Sequence, residues 1–165
     1  MKLYLAGPDV FRQDATAWAD AARRQAVAAG HQALIPLDGV ETTAPGIYYA
    51  NIALIRAADA VLANLNPFRG GEPDSGTCVE VGFALALGKP VIGYLASDET
   101  TTQRVARLLG APLEIIDGRP VDHDGLYVED FGLPLNLMLA VPLRIVVGGL
   151  PEALSALAER GSTAP

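Results

Sequence analysis

The chain has 165 residues, of which 50% are hydrophobic and 19% are charged, and its formal net charge at pH 7 is -7. A chain of this length forms one compact domain, which excludes a large multidomain assembly. The acidic balance excludes the basic surface with which proteins bind nucleic acid or an anionic membrane. We therefore expect a small ligand that is neutral or weakly charged, with no nucleic-acid partner and no membrane partner.

The apolar stretches of the sequence are short. Examples among the longest are residues 90–96 and 137–143, and both fall well below the ~20 residues that span a bilayer. The apolar run before Gly7 is too short for the core of a signal peptide, and the single cysteine, Cys78, permits no internal disulfide. These features predict a cytoplasmic protein. Because a mean hydropathy of +0.27 is high for so short a chain, some apolar surface is expected between the subunits of a homo-oligomer.

Short apolar strands alternate with helical segments along the chain. The sequence predicts strands at residues 3–6, 31–36, 60–65, 90–95 and 144–147, and helices at residues 14–29, 47–58, 77–87, 97–109 and 151–160. This alternation predicts an α/β fold in which helices flank a five-stranded parallel sheet in a doubly wound (Rossmann-like) domain. The domain is expected to cover residues 1–160, and residues 161–165 are expected to form a loose tail.

Three loops are expected to surround the ligand site. In a doubly wound sheet, ligands bind beyond the carboxyl ends of the strands, where the strand order reverses. This rule places the loop after the first strand, residues 7–11, beside the polar loop after the third strand, residues 66–76. The loop at residues 37–46 is longer than a simple connection and is expected to lie over a site.

The sequence contains no motif for a common cofactor. Residues 7–9, Gly-Pro-Asp, match neither the GxGxxG dinucleotide motif nor the GxxxxGK[ST] phosphate loop. His31 and His123 are far apart in sequence, and no CxxC or HExxH pattern occurs. We therefore expect no metal and no cofactor. Cys78 has no nearby histidine in sequence to activate it and is expected to be a packed helix residue.

Two acidic residues at the end of the third-strand loop are candidates for catalysis. Asp74 and Glu80 are six positions apart, which on one continuous helix would separate them by about 240°. They converge only if Asp74 lies in the loop, as Pro73 and Gly76 favour. Two carboxylates across a small pocket can cleave a glycosidic bond, one as nucleophile and the other as acid and base. The alternative is that Asp74 caps the helix and Glu80 lies on its solvated face.

Several segments of the sequence resemble the nucleoside 2-deoxyribosyltransferase family. They are YLAGP at residues 4–8, ADAVLANLNPFRG at 58–70, EPDSGT at 72–77, EVG at 80–82 and DFGLPLNLML at 130–139. The resemblance implies a flavodoxin-like domain and a pentosyltransferase that moves 2-deoxyribose between nucleobases of deoxyribonucleosides, with retention at the anomeric carbon. It also implies that the partners are deoxynucleosides and free nucleobases and that the enzyme serves nucleoside salvage.

The resemblance also implies roles for individual residues. Glu80 matches the nucleophile that forms a covalent deoxyribosyl intermediate, and Asp74 matches the acid and base. Tyr4 matches the tyrosine that holds the nucleophile, although without the resemblance a tyrosine in the first strand would be read as a core residue. Asn136 matches an asparagine that completes a neighbouring subunit's site by binding the sugar 5′-hydroxyl, although it could instead cap a short helix. Asn51 stands where some members have a second base-binding aspartate; an amide can hold a base edge but cannot ionise.

Four further residues are predicted to bind substrate. Gly7 and Phe11 belong to the loop after the first strand, and Phe68 and Arg69 belong to the loop after the third strand. Both phenyl rings could belong to the core, but their loops are expected at the switch point of the sheet, where the rings could stack on a base. Arg69 has two interpretations, because it could bind substrate or brace its loop against Asp59 or Glu72.

Two other functions remain open from the sequence. The same carboxylates would serve an N-glycoside hydrolase that admits water and acts on a deoxynucleoside or its monophosphate. The monophosphate version needs a phosphate pocket, but the chain offers Asn136 among leucines where a basic or hydroxyl-rich group is expected. A non-catalytic nucleoside-binding module would need no carboxylate pair.

Overall fold

A five-stranded parallel sheet forms the centre of the molecule, and the computed structural model describes residues 1–162, with side chains described for 1–159. The strands are β1 (Lys2–Ala6), β2 (Gln32–Leu34), β3 (Ala60–Asn64), β4 (Val91–Leu95), β5 (Glu114–Ile116), β6 (Arg119–Val121) and β7 (Arg144–Val147). The helices are α1 (Ala15–Ala28), α2 (Ala44–Ala57), α3 (Ser75–Ala86), α4 (Thr101–Leu109), α5 (Leu137–Ala140) and α6 (Leu150–Ser162). Short 3₁₀ turns occupy Pro8–Phe11 and Pro36–Asp38.

The strand order confirms the predicted fold class. The sheet runs β2-β1-β3-β4-β7 with every pair parallel, so that its own five strands follow the order 2-1-3-4-5. This is the flavodoxin-like order, in which the direction of winding reverses between β1 and β3. The loops that follow β1 and β3 therefore lie next to each other, as the sequence predicts.

Both faces of the sheet are buried, because alternate residues of each strand pack against helices on opposite sides. On one face, Leu5 and Leu62 pack with residues of α1 and α6. On the other face, Tyr4 and Val61 pack with residues of α2 and α3. Tyr4 thus belongs to the same face as the helix that carries Glu80.

Two predicted boundaries around residues 35–46 were wrong. The second strand ends at Leu34 rather than at Pro36, because Pro36 has no N–H for a strand ladder and starts a 3₁₀ turn instead. The Asp38 carboxylate accepts a hydrogen bond of 2.9 Å from the Ile35 backbone N–H and stabilises that turn. Helix α2 begins at Ala44 rather than at residue 47, since Thr43 caps it by accepting a hydrogen bond from the Gly46 N–H.

The segment between α4 and β7 contains structure that the sequence analysis did not assign. An antiparallel hairpin joins β5 to β6 through Asp117 and Gly118, and both turn residues have positive φ, 51° and 76°. The Asp-Gly pair is the sequence signal for such a two-residue turn. Short helix α5 follows, with Asn136 as its capping residue.

The end of the chain is described only in part. Helix α6 extends to Ser162, and residues 163–165 of the expected tail lie outside the described residues. Across residues 1–162, no helix combines the length and the apolar composition that a membrane span needs.

Candidate active site

A cavity of about 400 Å³ lies beyond the carboxyl end of β1, where the winding of the sheet reverses. Its walls come from the loops after β1 and β2, from α2 and from the first two turns of α3. The polar and aromatic lining residues that matter for chemistry are Phe11, Glu41, Asn51, Asp74, Thr77 and Glu80. The structure therefore brings together both predicted carboxylates, Asn51, Gly7 and Phe11.

Glu80 projects into this cavity from the second turn of α3. Its Oε1 atom accepts a hydrogen bond of 2.7 Å from the Tyr4 hydroxyl and one of 3.4 Å from the Asn51 side-chain amide. No hydrogen bond from a residue in the described part of the chain reaches Oε2. One oxygen of the carboxylate is thus held in place, and the other is available to a ligand.

Burial changes the acidity of this carboxylate. It raises the pKa of Glu80 from 4.5 to about 7, and the negative charge of Asp74 adds to the increase. The hydrogen bonds from Tyr4 and Asn51 act in the opposite direction, because they stabilise the ionised form. Burial and the nearby charge of Glu80 raise the pKa of Tyr4, so its hydroxyl remains a donor at neutral pH.

Asp74 lies just before α3 and caps it. Its Oδ2 atom accepts hydrogen bonds of 2.9 Å from the Thr77 N–H and 3.0 Å from the Thr77 hydroxyl. Because Asp74 is outside the helix, its side chain and that of Glu80 line the same cavity, as the sequence predicts. The sequence left open that Asp74 caps the helix and that Glu80 lies on its solvated face. Asp74 does cap the helix, but Glu80 is largely buried rather than solvated.

Asn51 on α2 lies beside the nucleophile candidate. Its Nδ2 donates to Glu80, while its Oδ1 is buried and has no hydrogen-bond partner among the described residues. An unpaired buried amide oxygen is unfavourable. The amide can reduce this cost by rotating and accepting from Glu80 whenever that carboxyl group is protonated.

Position 7 requires glycine because the chain after β1 passes very close to the end of β3. A Cβ atom at this position would lie 2.7 Å from the Cβ of Asn64 and 3.0 Å from the Asp9 carboxylate. Buried Asp9 accepts a hydrogen bond of 2.7 Å from the Asn64 amide, which fixes the Pro8–Phe11 turn against the end of β3. This arrangement places Phe11 at the edge of the cavity.

An aromatic stack of Phe11, Phe68 and Arg69 stands at the rim. The phenyl rings are 5.4 Å apart between centroids and inclined by 16°, and the Arg69 guanidinium lies 4.6 Å from the Phe68 centroid and 5.3 Å from that of Phe11. Phe11 lines the cavity. Phe68 and Arg69 are not among its lining residues, but both contact Phe11. The two bracing partners suggested for Arg69 were wrong, because Asp59 accepts from the Lys2 N–H and Glu72 lies near Arg104.

Asn136 lies away from the cavity of its own chain. Its Oδ1 accepts from the Met138 N–H at 3.0 Å and its Nδ2 donates to Glu129 at 2.7 Å, so it caps α5. The surface around it exposes Phe131, Met138 and Val141, each more than 60% accessible. The structure therefore does not bring Asn136 to the Glu80 of the same subunit.

Glu41 is a third carboxylate of the site, and no sequence pattern predicted it. Glu41 lines the cavity from the loop after β2 and packs close to Gly46 near the start of α2. The length of that loop was the available signal. The cavity thus has three acidic residues, and none of the described residues that line it is Lys, Arg or His. No cluster of His, Cys, Asp or Glu in the described residues is arranged to hold a metal ion.

Comparisons with known proteins identify a family and a shared fold. The family model described as nucleoside 2-deoxyribosyltransferase matches residues 3–138. A solved 2-deoxyribosyltransferase from Leishmania mexicana is 36% identical, with a TM-score of 0.78, and the match covers 96% of this chain and 97% of that chain. An uncharacterised protein of Schizosaccharomyces pombe, C191.05c, is 32% identical over 155 residues, covering 82% of this chain and 74% of that protein.

Two more distant structures share the fold. A 2-deoxyribosyltransferase from Bacillus psychrosaccharolyticus is 22% identical with a TM-score of 0.50, over 71% of this chain and 86% of that chain. A CMP N-glycosidase from Clostridium botulinum is 15% identical with a TM-score of 0.52, over 97% of this chain and 99% of that chain. At these identities the similarity concerns the fold alone.

Proposed function

The chain belongs to the nucleoside 2-deoxyribosyltransferase family, whose members are pentosyltransferases, and we propose that it transfers 2-deoxyribose between nucleobases by a retaining double displacement through Glu80. The observation that supports this proposal is how the carboxylate is held: Glu80 lines the cavity, Tyr4 and Asn51 both donate to its Oε1, and no described residue donates to Oε2. A fixed carboxylate with one free oxygen suits attack on an anomeric carbon.

The first half-reaction breaks the bond between the sugar and the first base. Oε2 of ionised Glu80 attacks C1′ through an oxocarbenium-like transition state, and the electrons of the C1′–N bond go to the departing base. Asp74 donates a proton to that base. The products are a free nucleobase, ionised Asp74 and a deoxyribosyl ester on Glu80.

The second half-reaction reverses these steps with another base. A ring nitrogen of the incoming base attacks C1′, the ester bond to Glu80 breaks, and the proton of the attacking nitrogen passes to Asp74. Two inversions at C1′ give net retention. No cofactor takes part in this scheme, and the physiological role that fits it is nucleoside salvage.

Substrate binding is assigned to the groups around the carboxylates. Phe11 at the rim stacks on the base, with Phe68 and Arg69 behind it, and Asn51 offers its amide to the substrate beside Glu80. Gly7 contributes by allowing the backbone of the first loop to approach the end of β3.

We also assign a homo-oligomer, in which Asn136 completes the site of a neighbouring subunit. Support comes from its position, since Asn136 is exposed, lies outside the cavity of its own chain and is surrounded by exposed Phe131, Met138 and Val141. Apolar surface of this kind is typical of subunit contacts. A cytoplasmic location is part of the same proposal and agrees with the single cysteine.

Hydrolysis is the second candidate, because a CMP N-glycosidase shares the fold. The same ester on Glu80 would then be attacked by water. A monophosphate substrate is disfavoured, since Glu41, Asp74 and Glu80 line the cavity and no described lining residue carries a positive charge. The two candidates differ in the fate of the sugar rather than in the nucleophile.

One assay distinguishes these functions. The protein is incubated with a deoxynucleoside, with and without a different free base, and the products are separated by chromatography. We expect a new deoxynucleoside only when the second base is present. Free deoxyribose formed at the same rate with or without that base would indicate a hydrolase, and binding without turnover would indicate a nucleoside-binding module.

A further inference from the structure

Arg104 is a buried charged residue outside the cavity. It lies on α4, its side chain is only 3% exposed, and its Nε has no hydrogen-bond partner among the described residues. Burying a guanidinium group is unfavourable unless its donors are used. A residue that serves packing alone would be apolar at such a position, so the contacts of this group need an explanation.

The guanidinium group contacts the segment that precedes Asn136. Its Nη1 donates to the Pro134 carbonyl at 2.7 Å, and the Thr101 N–H at the start of the same helix donates to the Leu133 carbonyl at 3.0 Å. Residues 133 and 134 are therefore fixed to the first turn of α4. Asn136, assigned above to a neighbouring site, follows two residues later.

The other side of the group faces the loop that carries Asp74. Its Nη2 lies 3.9 Å from the Glu72 carboxylate, and the Glu72 carbonyl accepts from the Phe68 N–H at 2.9 Å. Gly71 packs against the same helix so closely that a Cβ atom there would lie 3.0 Å from Leu108. The part of the β3–α3 loop that precedes Asp74 therefore packs against α4.

We infer that Arg104 is a positioning residue that connects the Asp74 loop to the Asn136 segment. Through it, α4 positions Asp74 in the site of its own subunit and Asn136 in the site of a neighbouring subunit. Its catalytic consequence rests on the proposed function. The guanidinium group suits this task because its planar fork can donate to a carbonyl and face a carboxylate at once.

The test compares Arg104→Met with Arg107→Met. Arg107 is an exposed arginine of the same helix that pairs with Glu99, and its substitution controls for loss of a positive charge on α4. We expect Arg104→Met to lower kcat roughly tenfold through the Asp74 loop and to raise KM for the deoxynucleoside roughly tenfold through Asn136. Arg107→Met should leave both constants within about twofold, as expected for an exposed ion pair. Partial unfolding alone would lower kcat and leave KM unchanged.

Amide hydrogen exchange tests the structural part independently of activity. In Arg104→Met, residues 70–74 and 133–137 should exchange roughly tenfold faster while β1 and β3 keep their protection. The exchange measurement does not depend on activity. If the wild-type protein shows no transfer, the proposed function fails, but the structural role of Arg104 is still tested by exchange. Unchanged exchange in both segments, or unchanged kcat and KM in folded Arg104→Met, would overturn the inference.

Two further variants keep the inference testable if Arg104→Met does not fold. Arg104→Lys retains the charge without the planar fork and should show intermediate kinetic constants. Glu72→Gln removes the negative charge that lies 3.9 Å from Arg104; because Glu72 is 57% accessible, kcat should fall no more than about twofold, while residues 70–74 should exchange faster. Wild-type exchange of residues 70–74 in Glu72→Gln would contradict the assigned contact with the Asp74 loop.

Discussion

The floor of the cavity consists of Glu80 and Asn51, with the buried Tyr4 hydrogen-bonded to Glu80. This floor and the aromatic stack at the rim hold their positions by different forces. Glu80 is largely buried and receives two hydrogen bonds, one of them from a tyrosine that is 0% exposed. At the rim, Phe11 is 57% exposed and is held by ring stacking and by a guanidinium group above it. Buried hydrogen bonds fix geometry within narrow limits, whereas an exposed stack can shift as a flat ligand binds against Phe11. We therefore expect the floor to control kcat and the rim to control KM.

The largest effect is expected at the floor, from Glu80→Gln. Glutamine keeps the shape of the side chain and an oxygen for Tyr4 and Asn51, but it cannot form the deoxyribosyl ester. Transfer should fall by at least roughly 10³-fold in a chromatographic assay. Turnover near the wild-type rate would eliminate Glu80 as the nucleophile.

The same variant should be more stable than the wild type at high pH. The pKa of Glu80 rises from 4.5 to about 7 on folding, so the folded state binds more protons between these pH values. The wild type therefore loses free energy of unfolding as the pH rises from 4.5 to 7, and the loss is complete above that range. Glu80→Gln does not titrate, and its advantage at pH 8 should be on the order of 3 kcal/mol. Urea unfolding of both proteins at pH 4.5 and pH 8 measures the difference.

Asp74→Asn should have the next largest effect. Asparagine caps a helix as well as aspartate does, so the hydrogen bonds from Thr77 and the stability of α3 should persist. It cannot donate or accept the proton of the base, and kcat should fall roughly 10²- to 10⁴-fold. Asp74→Ala is the matched variant, because it removes the cap as well and should lower the free energy of unfolding by about 1 kcal/mol. Equal loss of stability in both variants would contradict this separation.

Tyr4→Phe tests the hydrogen bond at the floor through the pH dependence. The Tyr4 hydroxyl lowers the pKa of Glu80, and in the wild type that pKa is about 7. Because the nucleophile must be ionised while Asp74 must be protonated, kcat/KM of the wild type should follow a bell-shaped pH profile, to which the ionisation of Glu80 contributes one midpoint near pH 7. In Tyr4→Phe this midpoint should move to higher pH, and kcat at neutral pH should fall roughly tenfold. A lower rate with an unmoved midpoint would mean that Tyr4 acts by packing alone.

The smallest effect is expected at the rim, from Phe68→Ala. Loss of this ring removes the stacking partner of Phe11 and the nearest aromatic contact of Arg69. KM should rise roughly two- to tenfold while kcat stays within about twofold. Tyr127→Ala is the control, since it removes an exposed cation–π pair with Arg119 on the hairpin, away from the cavity. A larger effect on kcat than on KM would break the distinction between floor and rim.

Local sequence patterns were sufficient to predict the strands of the sheet and two carboxylates of the site. All five strands of the sheet follow from apolar runs bounded by turn residues, and the position of Asp74 before α3 follows from Pro73. Gly76 was expected to precede the helix, but α3 begins at Ser75 and includes it. The β5–β6 hairpin was missed although Asp117 and Gly118 signal it, because its strands are only three residues long and carry no clear alternation. Glu41 was missed because nothing local distinguishes a lining carboxylate from a solvated one.

Strand periodicity, turn residues and short motifs depend on neighbours along the chain, so the α/β class, the two candidate carboxylates and the family resemblance could be predicted without a structure. The partners that those residues meet depend on how distant segments pack. Tyr4 and Glu80 are 76 positions apart in sequence, and Asn51 and Glu80 are 29 apart. They meet because α2 and α3 pack on the face of the sheet to which the Tyr4 side chain of β1 belongs. The raised pKa of Glu80 likewise exists only after folding, because burial is its main cause.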